Sequence, residues 1–229
     1  MLIEKMPSLP DDRLLVFLHI PKTAGVSMHH LLSRHFGSSY FRHSQTAGTY
    51  IEDLTEVQIA KLRCLSGHLR YGIHNKLGRD GCYFTVVRDP VDRLVSLYNH
   101  NRRKGRLKRF GLENPGLDEW IIARVNYTTG SRFYTQCEAI CGVNDSDQAI
   151  DRLERSFALY SDLGQVNELT FRLQKFLGVE QPENLERRNV NPISGTCTQP
   201  SEETVSQLNR YLDPDRQLVE FCRNRFADL

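Results

Sequence analysis

The chain carries almost no imbalance of charge: 30 lysines and arginines against 28 aspartates and glutamates leave a formal +2. Nucleic-acid binding through the overall field is thereby excluded, and an acidic ligand has to be met by a local cluster. Apolar residues nowhere run to the roughly 18 needed to span a bilayer. The opening MLIEKMPSLPDDR has neither the basic start nor the apolar stretch of an export signal, so a cytoplasmic protein without stable membrane insertion is expected. The six cysteines, at 64, 82, 137, 141, 197 and 222, form no CxxC pair and no repeated ligand spacing, and no metal is predicted. Cys64 and Cys82 sit among apolar residues and read as buried thiols. Cys137 and Cys141, four apart, fit one helix face or a local bridge, and the sequence does not choose between these. There is no internal repeat or low-complexity tract.

What is present suits an ordinary soluble globular chain, 39% hydrophobic and 25% charged. At 229 residues it is long enough for one α/β domain with a substantial core and short for two, so a single domain over 1–229 is expected, with 1–13 as a flexible lead-in.

Residues 14–36, LLVFLHIPKTAGVSMHHLLSRHF, organise the rest. Leu14, Leu15, Val16, Phe17, Leu18 and Ile20 form a nearly unbroken apolar run, the pattern of a strand buried on both faces of a parallel sheet. Pro21 stops it. Met28, Leu31, Leu32 and His35 then recur at helical spacing, with Thr23, Gly25 and Ser27 as small or capping residues at the helix start. A strand feeding a tight loop into a helix N-terminus aims unpaired N–H groups and the positive helix dipole at one spot, which favours phosphate or sulfate. Lys22 adds a full charge there. The nucleotide triphosphate loop GxxxxGK[ST] is not matched, because the lysine precedes the only glycine.

A second unit follows the same plan. Tyr83, Phe84, Thr85, Val86 and Val87 read as a buried strand ending at Arg88. Asp89 fits an N-cap, Pro90 the first helical turn, and Val91, Leu94, Val95 and Tyr98 an apolar face. Two strand–loop–helix units favour a parallel sheet with crossover helices. Elsewhere the pattern predicts a short strand at 40–43, a capped amphipathic helix over 53–62, a stretch at 64–68 that leads into a second functional-looking loop, and a mobile basic segment over 101–116. Further helices are predicted over 118–125, 147–156 and 166–177, the last closed by Gly178, with a strand at 157–160. Residues 126–142 mix turn and strand signals, 180–200 read as loop, and a helix or helix pair over 201–226 is interrupted near Asp213 and Pro214.

The stretch His19-Ile20-Pro21-Lys22-Thr23-Ala24-Gly25-Val26-Ser27 closely resembles the 5′-phosphosulfate-binding loop of sulfotransferases, in the branch containing the heparan and chondroitin/dermatan 2-O-sulfotransferases and bacterial relatives. Residues 83–99, YFTVVRDPVDRLVSLYN, resemble the 3′-phosphate-binding element of the same enzymes, with Arg88 after the strand and Ser96 eight residues later. Arginine offers a planar charged fork to phosphate oxygens, and a serine two turns into the helix adds a hydroxyl. The resemblance implies a P-loop-like three-layer α/β fold with a central, mainly parallel sheet flanked by helices. It further implies a donor, 3′-phosphoadenosine 5′-phosphosulfate, held by Pro21, Lys22, Thr23, Ala24, Gly25, Val26, Ser27, Arg88 and Ser96, with adenosine 3′,5′-bisphosphate as product and no metal. Residues 66–71, SGHLRY, are similar to the segment carrying a catalytic histidine in the 2-O-sulfotransferases, which places His68 as general base and Lys22 at the leaving oxygen. The family's nearby second histidine has no counterpart here, since Ser66 stands in its place.

The implied acceptor is a hydroxyl of a carbohydrate or glycoconjugate. Arg70, Arg102 and Arg103, with Lys104, Arg106, Lys108 and Arg109, are candidates to hold an acidic one, although a basic run after a helix is more often a solvated face. Asn189, Asn191 and Ser194 could close over the donor, with a solvated loop the blander reading. His19, His29, His30, His35, His43, His74 and His100 read as surface or packing residues. Two other classes stay open: a P-loop-like nucleotide kinase, which would need the missing glycine and a metal-holding carboxylate, and a catalytically silent nucleotide- or glycan-binding module.

Overall fold

The computed structural model describes residues 8–44, 47–110, 112–126, 135–184 and 199–226, without the side chains of 109, 110 and 126. Its centre is a five-stranded sheet of β1 (Leu14–Leu18), β2 (Tyr40–His43), β3 (Cys64–Gly67), β4 (Gly81–Val87) and β5 (Phe157–Asp162), in the order β2-β3-β1-β4-β5. Every pairing is parallel. β1 is therefore central, and all five of its residues are buried, as an apolar run without alternation requires.

The alternating sides of β1 define two cores. Leu15 and Phe17 face α1 (Gly25–Phe36) and α7 (Val166–Phe176), packing with Met28, Leu32, Leu169 and Leu173. Leu14, Val16 and Leu18 face α5 (Gln136–Cys141), α6 (Ser146–Ser156) and α9 (Asn209–Arg225), meeting Ile140, Leu153 and Leu218. The result is the three-layer arrangement expected when crossover helices cover both faces of a parallel sheet. A third cluster joins α3 (Pro90–Arg103), α4 (Leu117–Asn126) and the pair α8 (Glu202–Gln207) and α9 around Trp120. α7 ends as predicted at Gly178, whose φ of 77° lets the Val179 N–H reach the Gln174 carbonyl at 2.9 Å.

Several expectations are corrected. Cys64–Gly67, to which the pattern assigned no element, is an internal strand leading into the loop, and its short run with a buried Ser66 hid it. The helix sought over 53–62 is only α2 (Glu56–Lys61), closed by a reciprocal Thr55–Gln58 capping box. It has no buried residue, and Val57 is 65% exposed, so its apolar spacing served no core; Ile51 and Leu62 on either side are the buried ones. The C-terminal break falls at Leu208, and Pro214 lies inside α9. The basic segment contains the last turn of α3 and a 3-10 turn, Leu107–Phe110. α5 supplies the fold for the end of 126–142; its Cys137 and Cys141 are both free thiols, so no local bridge forms.

The chain leaves β1 for β2 on one side of it and crosses from β3 to β4 on the other. Such a reversal opens a crevice at the carboxyl ends of the central strands. The loops after β1, β3 and β4, which carry Lys22, His68 and Arg88, all emerge there.

Candidate functional site

The loop after β1 is held in an unusual backbone. Lys22 and Ala24 have φ of 75° and 62°, the left-handed region that costs a side-chain-bearing residue about 1–2 kcal/mol. Among the described residues these are the non-glycine residues with positive φ. Thr23 between them is fully buried and donates its hydroxyl to the Ile20 carbonyl at 2.8 Å, which stabilises the turn. Thr23 thus braces the loop rather than capping the helix. Ala24 is the N-cap of α1 and offers no side-chain bond, and the first turn carries no acid. With no capping side chain from Ala24, the N–H groups at the start of α1 and the left-handed turn together form a concave donor surface suited to tetrahedral oxyanions.

Gly25 has a packing reason. A Cβ there would lie 1.8 Å from His19 Nε2, so a side chain at 25 and the ring of His19 exclude one another. Ser27 is buried in the first turn and Val26 is exposed. From Ser27 a groove of about 200 Å³ runs along His30, Leu31 and Arg34 of α1 toward Gln174 and Glu183.

Arg88 is brought to this loop by β4. Its Nη1 donates to the Lys22 carbonyl at 3.3 Å. Its main chain is bracketed by buried Gln136, which accepts from the Arg88 N–H at 2.9 Å and donates Nε2 to the Arg88 carbonyl at 2.7 Å. The Gln136 and Cys137 N–H groups in turn donate to the buried Asp215 carboxylate, which lies 3.8 Å from the buried Arg93 guanidinium. Burial pushes the Asp215 carboxyl up, against the opposing pull of Arg93 and those N–H groups. Asp89 caps α3 as predicted, accepting from the Asp92 N–H.

Ser96, His100 and Arg103 follow at i, i+4 and i+7 on α3, one face of the helix. Burial, then the charges of Arg103 and Arg88, lower the pKa of Lys22. Burial, then Lys22 and Arg103, do the same to His100. Lys22, Arg88 and Arg103 are therefore one cationic cluster, with the imidazole of His100 beside it. Arg70 and Arg102 are exposed and their charges are not among those acting on Lys22. Asn189, Asn191 and Ser194, and the side chain of Arg109, lie outside the described residues.

His68 is exposed just beyond β3, its ring 4.7 Å from that of His19. His19 is buried, stacks on Phe17 and bonds through Nδ1 to His29 Nε2 at 3.1 Å. His29 Nδ1 meets the Tyr40 hydroxyl at 2.9 Å and Ser66 Oγ at 3.0 Å, which are 2.6 Å from each other. Burial, reinforced by His68, His29, Arg42 and Lys22, holds His19 well below the usual imidazole range. Burial, Arg42 and His68 bring His29 to about 3, and burial raises Tyr40 to about 12. Both imidazoles are thus neutral at neutral pH. Sequence reading set His19 and His29 aside as packing or surface residues and passed over Arg42, Gln136 and Asp215. The one local signal was His19 itself, a polar ring directly after a buried strand and three residues before Lys22.

A model of the sulfotransferase family matches residues 9–211. Among solved structures the fold is similar to that of a sulfotransferase from Alicyclobacillus acidocaldarius, with a TM-score of 0.59 at 12% identity over 92% of this chain and 95% of that one. A search of curated proteins returned no significant match. With a family match that takes in β1 through α8 and both anion-oriented loops, this chain belongs to the sulfotransferase family.

Proposed function

We propose that the chain transfers a sulfuryl group from 3′-phosphoadenosine 5′-phosphosulfate to a hydroxyl of a carbohydrate or glycoconjugate. The observation that carries the reading is the loop after β1, where an uncapped helix N-terminus and Lys22 converge with Arg88. The 5′-phosphosulfate would sit against the N–H groups of residues 24–27. Arg88 and Ser96 would take the 3′-phosphate. The acceptor oxygen bonds to sulfur as the bond from sulfur to the 5′-phosphate oxygen breaks, and negative charge grows on that departing oxygen. Lys22 and the helix N-terminus are placed to stabilise it, the term that dominates when group transfer needs little covalent help from the protein. His68 is the candidate to meet the acceptor hydroxyl and accept its proton. Arg103, beside Lys22, and exposed Arg42 supply cationic contacts suited to an acidic sugar.

The test is calorimetric titration with adenosine 3′,5′-bisphosphate, adenosine 5′-monophosphate and magnesium adenosine triphosphate, repeated on Arg88→Ala. Preference for the bisphosphate, lost in Arg88→Ala, is the expected result. Preference for the triphosphate, or no binding, overturns the donor assignment.

A further inference from the structure

We propose that His19 and His29 form an internal proton relay behind His68, with His19 as the resting place of the acceptor's proton and His29 as the positioning residue that sets its tautomer. The inference rests on the sulfuryl-transfer reading above. His19 is the first residue beyond β1. Its Nδ1 is committed to His29, while its opposite edge, Nε2 and Cε1, lies against Gly25 at the start of α1. One nitrogen of the pair is therefore held against the first residue of α1, in a ring whose centroid lies 4.7 Å from that of exposed His68.

The relay requires one tautomer of His29, and its partners permit it. Its Nδ1 faces two oxygens, of Tyr40 and Ser66, both able to accept a hydrogen bond. With Nδ1–H donated there, His29 Nε2 is an acceptor, His19 carries its proton on Nδ1, and His19 Nε2 keeps its lone pair. A partner behind an imidazole leaves the other nitrogen ready for a proton in the same way in hydrolase triads.

Electrostatics then ties the relay to donor binding. Among the described residues, the charged and titratable groups acting on the two rings are Lys22 from the loop, Arg42 and Tyr40 from β2, and His68 after β3, with Ser66 a neutral neighbour on β3. Cations alone disfavour a protonated imidazole. An anionic phosphosulfate in the loop supplies the missing negative charge and raises the proton affinity of His19, so the base strengthens when the donor is seated. As the acceptor oxygen bonds to sulfur, the electron pair of the breaking bond stays on the 5′-phosphate oxygen. The acceptor's proton leaves through His68 and comes to rest on His19 Nε2, and the imidazolium so formed donates through Nδ1 to His29.

The experiment uses the full chain with 15N-labelled histidine, read by two-bond 15N–1H correlation with and without adenosine 3′,5′-bisphosphate. Alongside it, release of labelled sulfate from 3′-phosphoadenosine 5′-phosphosulfate to water gives kcat and KM against pH. His19 Nε2 should be unprotonated in the free protein, and the bisphosphate should raise the His19 pKa. His19→Asn should lower kcat about 100-fold and move the acid limb of its pH profile, with bisphosphate affinity within about threefold. His29→Leu should follow it, while His29→Gln, with an amide oxygen near the place of Nε2, should recover most of the loss. A proton on His19 Nε2 in the unaltered protein overturns the relay even if the variants misfold, and so does an unchanged kcat in folded His19→Asn. Failure of the unaltered protein to bind the bisphosphate overturns the donor reading, and the relay with it, before any variant is made.

Discussion

Lys22 combines a half-buried ammonium, a left-handed backbone and two guanidinium neighbours. Its charge matters most where negative charge grows, so Lys22→Ala should lower kcat about 100- to 1000-fold while weakening bisphosphate binding less than about tenfold, measured by sulfate release and calorimetry. Equal losses in both would assign Lys22 to ground-state binding. Gly25 answers to sterics instead. Gly25→Ala should drive the His19 ring from its place and destabilise the fold by about 1–3 kcal/mol, seen as a lower urea midpoint, because the colliding ring is pinned by His29. A variant as stable as the parent would mean that the ring moves freely. Lys22 and Gly25 were both legible in the sequence, but the reason for the glycine was not: it is a ring six residues earlier, folded back across the loop.

At the scale of elements, the site is assembled by helices that the residues of the anion loops do not name. α5 brackets the Arg88 main chain through Gln136, and α9 secures the start of α5 through Asp215. Gln136→Ala should therefore reduce the preference for adenosine 3′,5′-bisphosphate over the 5′-monophosphate about tenfold with a smaller change in monophosphate affinity, since each hydrogen bond lost at a buried main chain costs about 1 kcal/mol or more. Loss of both affinities in parallel would indicate general loosening. The sequence left 126–142 unassigned and placed the C-terminal break at Pro214. The two misreadings differ in cause: α5 is six residues long, so its local Thr135–Glu138 capping box is lost among the turn signals around it, while Pro214 lies inside α9 beside Asp215, which is locked to α5 and α3.

Across the whole molecule, the buried imidazoles link stability to pH. His29 is lowered from the ordinary 6.5 to about 3 and His19 is lowered as well, so the unfolded chain binds protons more readily than the folded one as the pH falls below 6.5. Their contribution is complete above about pH 6.5 and is lost as the pH falls toward 3, on the order of a few kcal/mol for His29. Urea unfolding at pH 7 and 4.5 should show this fall in the unaltered protein and a smaller one in His29→Gln. An equal fall in both would place the acid sensitivity elsewhere, with the carboxylates.

The parallel sheet with crossover helices and both strand–loop–helix units could be read from the chain because each unit is local, whereas the three layers were implied by the family resemblance. An unbroken apolar strand, a tight turn, a helix start and an arginine eight residues before a serine are contiguous segments, and backbone sterics and hydrophobic burial act on them within a few residues. β3, the histidine relay and the Gln136–Asp215 brace could not. Ser66 meets His29 across 37 positions, and Arg88 meets Gln136 across 48. Nothing local distinguishes those residues from surface polar ones. Only the parallel order β2-β3-β1-β4-β5 brings their polar groups together where burial requires that each be paired.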